Sequence, residues 1–169
     1  MNCMFQECNV LEYLDLSDFD TSNVTNMSWM FNKCNKLKEI KGINKFITNK
    51  VTNMQQMFNE CYELEYLDLS KFDTSNVTDM RWMFDQCNKL KYLNLSNFSI
   101  KGETKNMFKF KKDKCNFITN NTDLLNLYNL DKSLLLVIKL HLSFLNLNIF
   151  LVSPLIEKFN KFKYFNLLH

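Results

Sequence analysis

Six cysteines, at positions 3, 8, 34, 61, 87 and 115, are the first side chains in this chain that could do chemistry. A structural zinc site draws its thiolates in close C-x₂₋₄-C pairs. Here Cys8, Cys34, Cys61 and Cys87 are instead 26, 27 and 26 residues apart. Cys3 and Cys8 lie five apart with no histidine near them, and neither His141 nor His169 has a partner pattern for catalysis. Asp20 and Asp73 each head the segment Asp-Thr-Ser-Asn, which suggests a ladder of calcium sites or a series of turns. Phe46-Ile47-Thr48-Asn49 breaks that series in the intervening unit, and Asp, Ser and Asn are ordinary turn formers because their side chains bond the local backbone. Turns are therefore the expectation. No Gly-rich phosphate loop is present. The sequence points to no enzyme, no metal site and no cofactor.

The cysteine spacing is itself the informative signal, since it marks a repeat. Residues 8–33 and 61–86 share 19 of 26 positions. Within each unit Met27, Met30, Phe31 and Cys34 stand at i, i+3, i+4 and i+7, the spacing of one helix face. Met54, Met57, Phe58 and Cys61 repeat it, as do Met80, Met83, Phe84 and Cys87, and Met1, Met4, Phe5 and Cys8. Thr25, Thr52 and Thr78 occupy the N-cap position of such helices. Val24 with Trp29, and Val77 with Trp82, have the spacing of a hydrophobic staple.

After each cysteine the period changes. Leu11, Leu14 and Leu16 form L-x-x-L-x-L, and Leu64, Leu67, Leu69 and Leu90, Leu93, Leu95 follow suit. That pattern predicts a short strand with alternate residues inward. The second unit is one residue longer; taking Gly42 as the insertion aligns Ile43 with Leu16 and Phe46 with Phe19, and predicts a bulge. The expected fold is α/β: a leucine-rich-repeat-like solenoid with one short parallel strand and one helix per unit of about 26 residues. It would occupy residues 1–98, as a half-unit 1–8, units 8–34, 34–61 and 61–87, and a decaying unit 87–98. A basic linker over 99–115 and an Asn/Leu/Lys/Phe-rich tail over 116–169 would follow.

Alternate strand residues should then form rows across an outer, concave face. Tyr13, Glu39, Tyr66 and Tyr92 make one row, and Asp15, Lys41, Asp68 and Asn94 the next. These rows serve either cross-strand pairing, with Lys41 flanked by Asp15 and Asp68, or a protein or glycan ligand. The helix cysteines read as packed, reduced thiols. Asn23, Asn26, Asn76, Asn94, Asn97 and Asn120 begin N-x-S/T sequons, which matter only in a eukaryotic secretory route.

Composition narrows the partners. The chain has no Ala, one Arg and two Gly among its 169 residues, the bias of an AT-rich gene. Residues 1–100 carry a net −3 and residues 101–169 a net +6. The basic run "KGETKNMFKFKKDK" at 101–114 lacks arginine, the side chain on which nucleic-acid readers rely. A solvated linker is expected there, with no nucleic-acid partner. Residues 134–152 are long enough to span a bilayer, but they contain Lys139, His141, Asn146 and Asn148. The tail reads as a cap on the repeats, as sequence without selected structure, or as a membrane contact.

The unit "LDLSDFDTSNVTNMSWMFNKC" at 14–34, with "LDLSKFDTSNVTDMRWMFDQC" at 67–87, resembles the repeat of BspA-like leucine-rich repeat surface proteins. The resemblance covers residues 1 to 98 and implies a non-enzymatic, surface-exposed protein-binding or adhesion module, at the cell surface or outside it. It supplies no catalytic residues. Met1 falls on an internal position of the motif, which reads as a truncated array or an incomplete gene. The rival expectations are an intracellular protein-interaction repeat and a gene fragment without its own function.

Overall fold

A computed structural model describes residues 1–110 and 115–128. Five three-residue strands form, each at an L-x-x-L-x-L segment or its equivalent: β1 (Tyr13–Asp15), β2 (Glu39–Lys41), β3 (Tyr66–Asp68), β4 (Tyr92–Asn94) and β5 (Asn116–Ile118). They assemble as two small parallel sheets, β1-β2 and β3-β4-β5. Turns make up most of the rest. Helical structure among the described residues amounts to one 3-10 turn, Ile43–Lys45, and a short helix over 122–128. Asn121 caps the latter, its Oδ1 accepting from the Asp123 and Leu124 N–H groups.

The expected fold, an α/β leucine-rich-repeat-like solenoid with one strand and one helix per unit, is overturned: the described residues form two small separate parallel sheets and, for the most part, turns and loops. Where the Met-x-x-Met-Phe segments were to be helical, the backbone runs through consecutive tight turns. Met27, Trp29, Phe31 and Lys33 donate sideways to the carbonyls of Asn53, Gln55, Met57 and Asn59, at 2.8–2.9 Å. The residues between them bond three back: Met30 to Met27, Asn32 to Trp29, Cys34 to Phe31. Trp29 and Lys33 sit at φ 61° and 60°, Gln56 and Glu60 at 53° and 60°, Trp82 and Gln86 at 54° and 63°. A left-handed residue every fourth position forbids a right-handed helix, and each costs a non-glycine residue about 1–2 kcal/mol. The lateral hydrogen bonds, worth about 1 kcal/mol each net, offset that strain.

The i, i+3, i+4, i+7 pattern still buries its residues. Met27, Met30, Phe31 and Cys34 are all sealed from solvent, as are their counterparts in the next two units. Two four-residue turns in succession aim the same positions inward as two turns of helix. With no helix to cap, Thr25, Thr52 and Thr78 do something else. Thr52 donates its N–H and hydroxyl to Thr25 O, and Thr78 does the same to Thr52 O. The side chains that open each turn belong one residue later: Asn26, Asn53 and Asp79 Oδ1 accept from the N–H of Ser28, Gln55 and Arg81. The staple expected of Trp29 and Trp82 likewise has no helix to anchor; both indoles are half-buried at left-handed corners.

Phenylalanine lines the interior. Phe5, Phe31, Phe58, Phe84 and Phe108 stack in sequence with centroids 5.4–5.9 Å apart, and Phe46, Phe72 and Phe98 form a second file at 6.3 Å. The extra residue of the second unit does not bulge a strand. Gly42 follows β2 at φ 80° and leads into the 3-10 turn, and a Cβ there would lie 2.5 Å from Ser17 N. The sheet is interrupted at this unit: Glu65 N–H reaches Lys38 O only at 3.5 Å, and β2 and β3 form no ladder.

Hydrogen bonding between repeats runs on past residue 98. Met80, Trp82, Phe84 and Gln86 donate to Glu103, Lys105, Met107 and Lys109 at 2.8–3.1 Å, and β5 pairs with β4. The spacing here is two to three residues shorter than between earlier units, and Gly102 permits the close approach: a Cβ would meet Thr78 O at 2.0 Å. Residues 129–169, including 134–152, lie outside the described residues.

Candidate binding face

Alternation in the short strands divides each between core and surface. Ile40, Leu67 and Leu93 point inward and are buried, with Leu14 half-buried at the first strand. Their flanking residues face out. Parallel register places Tyr13 opposite Glu39 and Asp15 opposite Lys41 in one sheet. In the other, Tyr66 faces Tyr92 and Asp68 faces Asn94. The eight residues expected to form rows are thus the outward residues of β1 to β4, four on each side of the interruption.

The aromatic members differ in their surroundings. Tyr66 and Tyr92 stack face to face, with centroids 4.5 Å apart and planes 7° from parallel. Tyr66 nevertheless stays 53% exposed and Tyr13 50% exposed. Partial burial, then Tyr92 and the Asp68 carboxylate, push the Tyr66 hydroxyl above the ordinary phenol range. Asn94 Nδ2 donates to the Tyr92 hydroxyl at 3.3 Å, while its Oδ1 accepts from the Ser96 N–H.

Lysines neutralise most of the carboxylates in pairs one repeat apart: Lys38–Glu12 and Lys41–Asp15 at 2.7 Å, Lys89–Glu63 and Lys91–Glu65 at 2.6 Å. The Lys41 ammonium, with Ser17, holds Asp15 far below the usual carboxylate range. Lys38 lowers Glu12 and Lys91 lowers Glu65 in the same way. Exposed pairs of this kind add little stability, about 0–1 kcal/mol each. Lys41 bonds Asp15 and leaves Asp68 aside; Asp68 accepts from the Ser70 N–H. Glu39 is exposed, and among the described residues no cation pairs with it.

The other candidates of the sequence resolve into structural work. Asp20 and Asp73 accept from the N–H of Ser22 and Ser75 at 2.9 Å, which lowers both carboxyls and makes each a turn. Among the described residues no three His, Cys, Asp or Glu side chains gather as a metal site. The threonine within that turn was missed as a connector. Thr21 Oγ1 accepts from Ile47 N–H at 2.8 Å and donates to Ile47 O, and Thr74 clasps Ser99 identically. Its recurrence in every unit, as Thr21, Thr48 and Thr74, was the available signal. Cys34, Cys61 and Cys87 are buried free thiols that donate to the carbonyls of Phe5, Phe31 and Phe58 at 3.0–3.1 Å. Among the described residues no helix is long and apolar enough to cross a membrane; His141 and His169 lie outside them.

No curated protein and no solved structure matches the chain. A family described as "Mycoplasma protein of unknown function, DUF285" matches residues 1–123. That span takes in all five described strands and every Cys-to-Cys unit. The chain belongs to this DUF285 family.

Proposed function

We propose that the chain is a binding module of the adhesion type, carried at the cell surface, that meets a protein or glycan ligand on the outward face of its strands. The observation that carries this reading is the pair Tyr66–Tyr92. The rings are stacked and so held rigid, yet Tyr66 leaves half of its surface in water. Rigid aromatic area of this sort favours interfaces because little side-chain entropy is lost on contact. The core does not need it, since Leu67 and Leu93 already fill the inward positions. Resemblance to BspA-like surface proteins supports the same reading.

The test compares wild type with Tyr66→Ala on arrays of host proteins and glycans. Capture should fall by about tenfold or more, as for an interface anchor, while the melting curve stays nearly unchanged. Lys33→Ala, on the turn side, should alter neither. Equal capture by wild type and Tyr66→Ala at equal folded fraction would move the site elsewhere.

A further inference from the structure

The charge left over on the strand face says more about the partner, provided that face is the binding surface. Four carboxylates on the strands or in the segments leading into them are matched by lysines across repeats. Two are not. Glu39 lies opposite Tyr13 in register, and Asp68, on β3 with Tyr66, joins burial and Tyr92 in raising the Tyr66 hydroxyl. The lysines that could have reached them are committed: Lys41 to Asp15, Lys38 to Glu12 and Lys91 to Glu65.

The aromatic rings complete the arrangement. Tyr13 lies opposite Glu39 in the β1-β2 sheet, and Tyr66 opens β3 across the interruption, where the Glu65 N–H still reaches Lys38 O at 3.5 Å. Tyr92 covers one face of Tyr66, and 53% of Tyr66 remains open. An aromatic face attracts a cation through its quadrupole, and a carboxylate nearby adds a charge-assisted hydrogen bond. A neutral sugar would use the rings but gain nothing from two unmatched carboxylates. An anionic partner would be repelled by them.

We infer that the face formed by Tyr13, Glu39, Tyr66 and Asp68 takes the guanidinium or ammonium groups of a basic polypeptide segment. Glu39 accepts from the cation, Tyr13 and Tyr66 flank it, and Asp68 receives the next basic side chain. Residues 1–100, which carry this face, are net −3, so diffuse attraction is present as well, and the test must separate it from local binding.

The experiment titrates the full chain with an oligo-arginine peptide, and in parallel with an oligo-glutamate peptide and a maltooligosaccharide. Wild type should bind oligo-arginine alone, more weakly as salt rises. Glu39→Gln should weaken binding by about tenfold, the usual loss when a charged hydrogen-bond partner is removed. Tyr66→Leu should do likewise. Glu7→Gln, which deletes the same charge from the turn side, should leave it intact. Glu39 is exposed, so its variant keeps the test alive even if Tyr66→Leu folds poorly. Equal affinity in wild type, Glu39→Gln and Glu7→Gln would overturn the inference as diffuse charge. So would no oligo-arginine binding by a wild type whose array capture still depends on Tyr66; the binding-module reading would then stand without its cationic partner. Loss of Tyr66 dependence in both assays would remove both.

Discussion

The Cys61 thiol donates to the carbonyl of Phe31, 3.1 Å away and one repeat earlier. Cys34 and Cys87 make the same bond to Phe5 and Phe58, so the cysteine file joins each repeat to the one before it. Burial pushes the Cys34 thiol up to about 11 and raises Cys61 and Cys87 as well.

These thiols should resist alkylation in the native protein at pH 8 and label fully after denaturation, while exposed Cys3 labels at once. The sign of the pH effect follows from the raised values. Above about pH 9 the unfolded chain loses protons that the folded chain still holds, so stability falls as pH rises. Melting temperature should therefore drop between pH 9 and 11, and Cys34→Ala should flatten part of that drop. Disulfides among Cys34, Cys61 and Cys87 in a native mass spectrum would contradict this packing.

Gln56 offers the sharpest distinction between the turns found here and the helix that the spacing suggests. It sits at φ 53°, half-buried, with its N–H donating to Arg81 O. In a helix interior Gln56→Gly would destabilise by about 1 kcal/mol. At a left-handed corner the same change relieves strain and should be neutral or stabilising by up to about 1 kcal/mol. Urea denaturation of the two proteins decides the sign.

Strand positions were legible because period two has few competitors: the leucines of each L-x-x-L-x-L predict the inward side, and Tyr13, Glu39, Tyr66 and Tyr92 fall opposite. The turns were not, for a physical reason. Two four-residue turns bury i, i+3, i+4 and i+7 as well as a helix does, so Met27, Met30, Phe31 and Cys34 cannot tell them apart. The discriminating residues are the left-handed corners, and apart from Asn106 these are Trp, Lys, Gln, Glu and Cys rather than the Gly or Asn that would announce them. The interruption between β2 and β3 was half visible, as the extra Gly42. Ion-pair choice was not: Lys41 lies between two aspartates in sequence alignment and bonds only Asp15.

Phe58 lies in the middle of the longer phenylalanine file, stacked on Phe31 at 5.4 Å and Phe84 at 5.8 Å. Removing its ring leaves a void between two neighbours that lateral hydrogen bonds hold at fixed spacing. Phe58→Ala should cost about 3–5 kcal/mol, a large share of the stability of a small domain. Cooperative thermal unfolding should be lost or shifted down steeply. A variant that melts like the parent would mean that the file is not the core.

Asp85 holds the place that Asn32 and Asn59 hold in the two preceding repeats, and its Oδ1 is buried without a hydrogen-bond partner among the described residues. Burial raises its carboxyl above the ordinary value; Lys109 opposes that shift and Glu60 adds to it. The folded state thus binds this proton more tightly than the unfolded state, and stability falls as pH rises from about 4 through the raised pKa. Asp85→Asn restores the neutral amide of the other repeats. Asn32 Nδ2 and Asn59 Oδ1 are buried without a partner among the described residues too, so the change removes the desolvated charge and not the unpaired atom. At pH 7 it should raise the melting temperature by a few degrees. Well below the ordinary carboxylate value, at about pH 2.5, the aspartate is protonated in both states, and parent and variant should converge. The lowered carboxyls of Asp15, Glu12 and Glu65 also lose stability on acidification, but they do so equally in both proteins. The difference between the two melting curves therefore isolates Asp85, and a difference constant from about pH 2.5 to 7 would show that its charge is not what the fold resists.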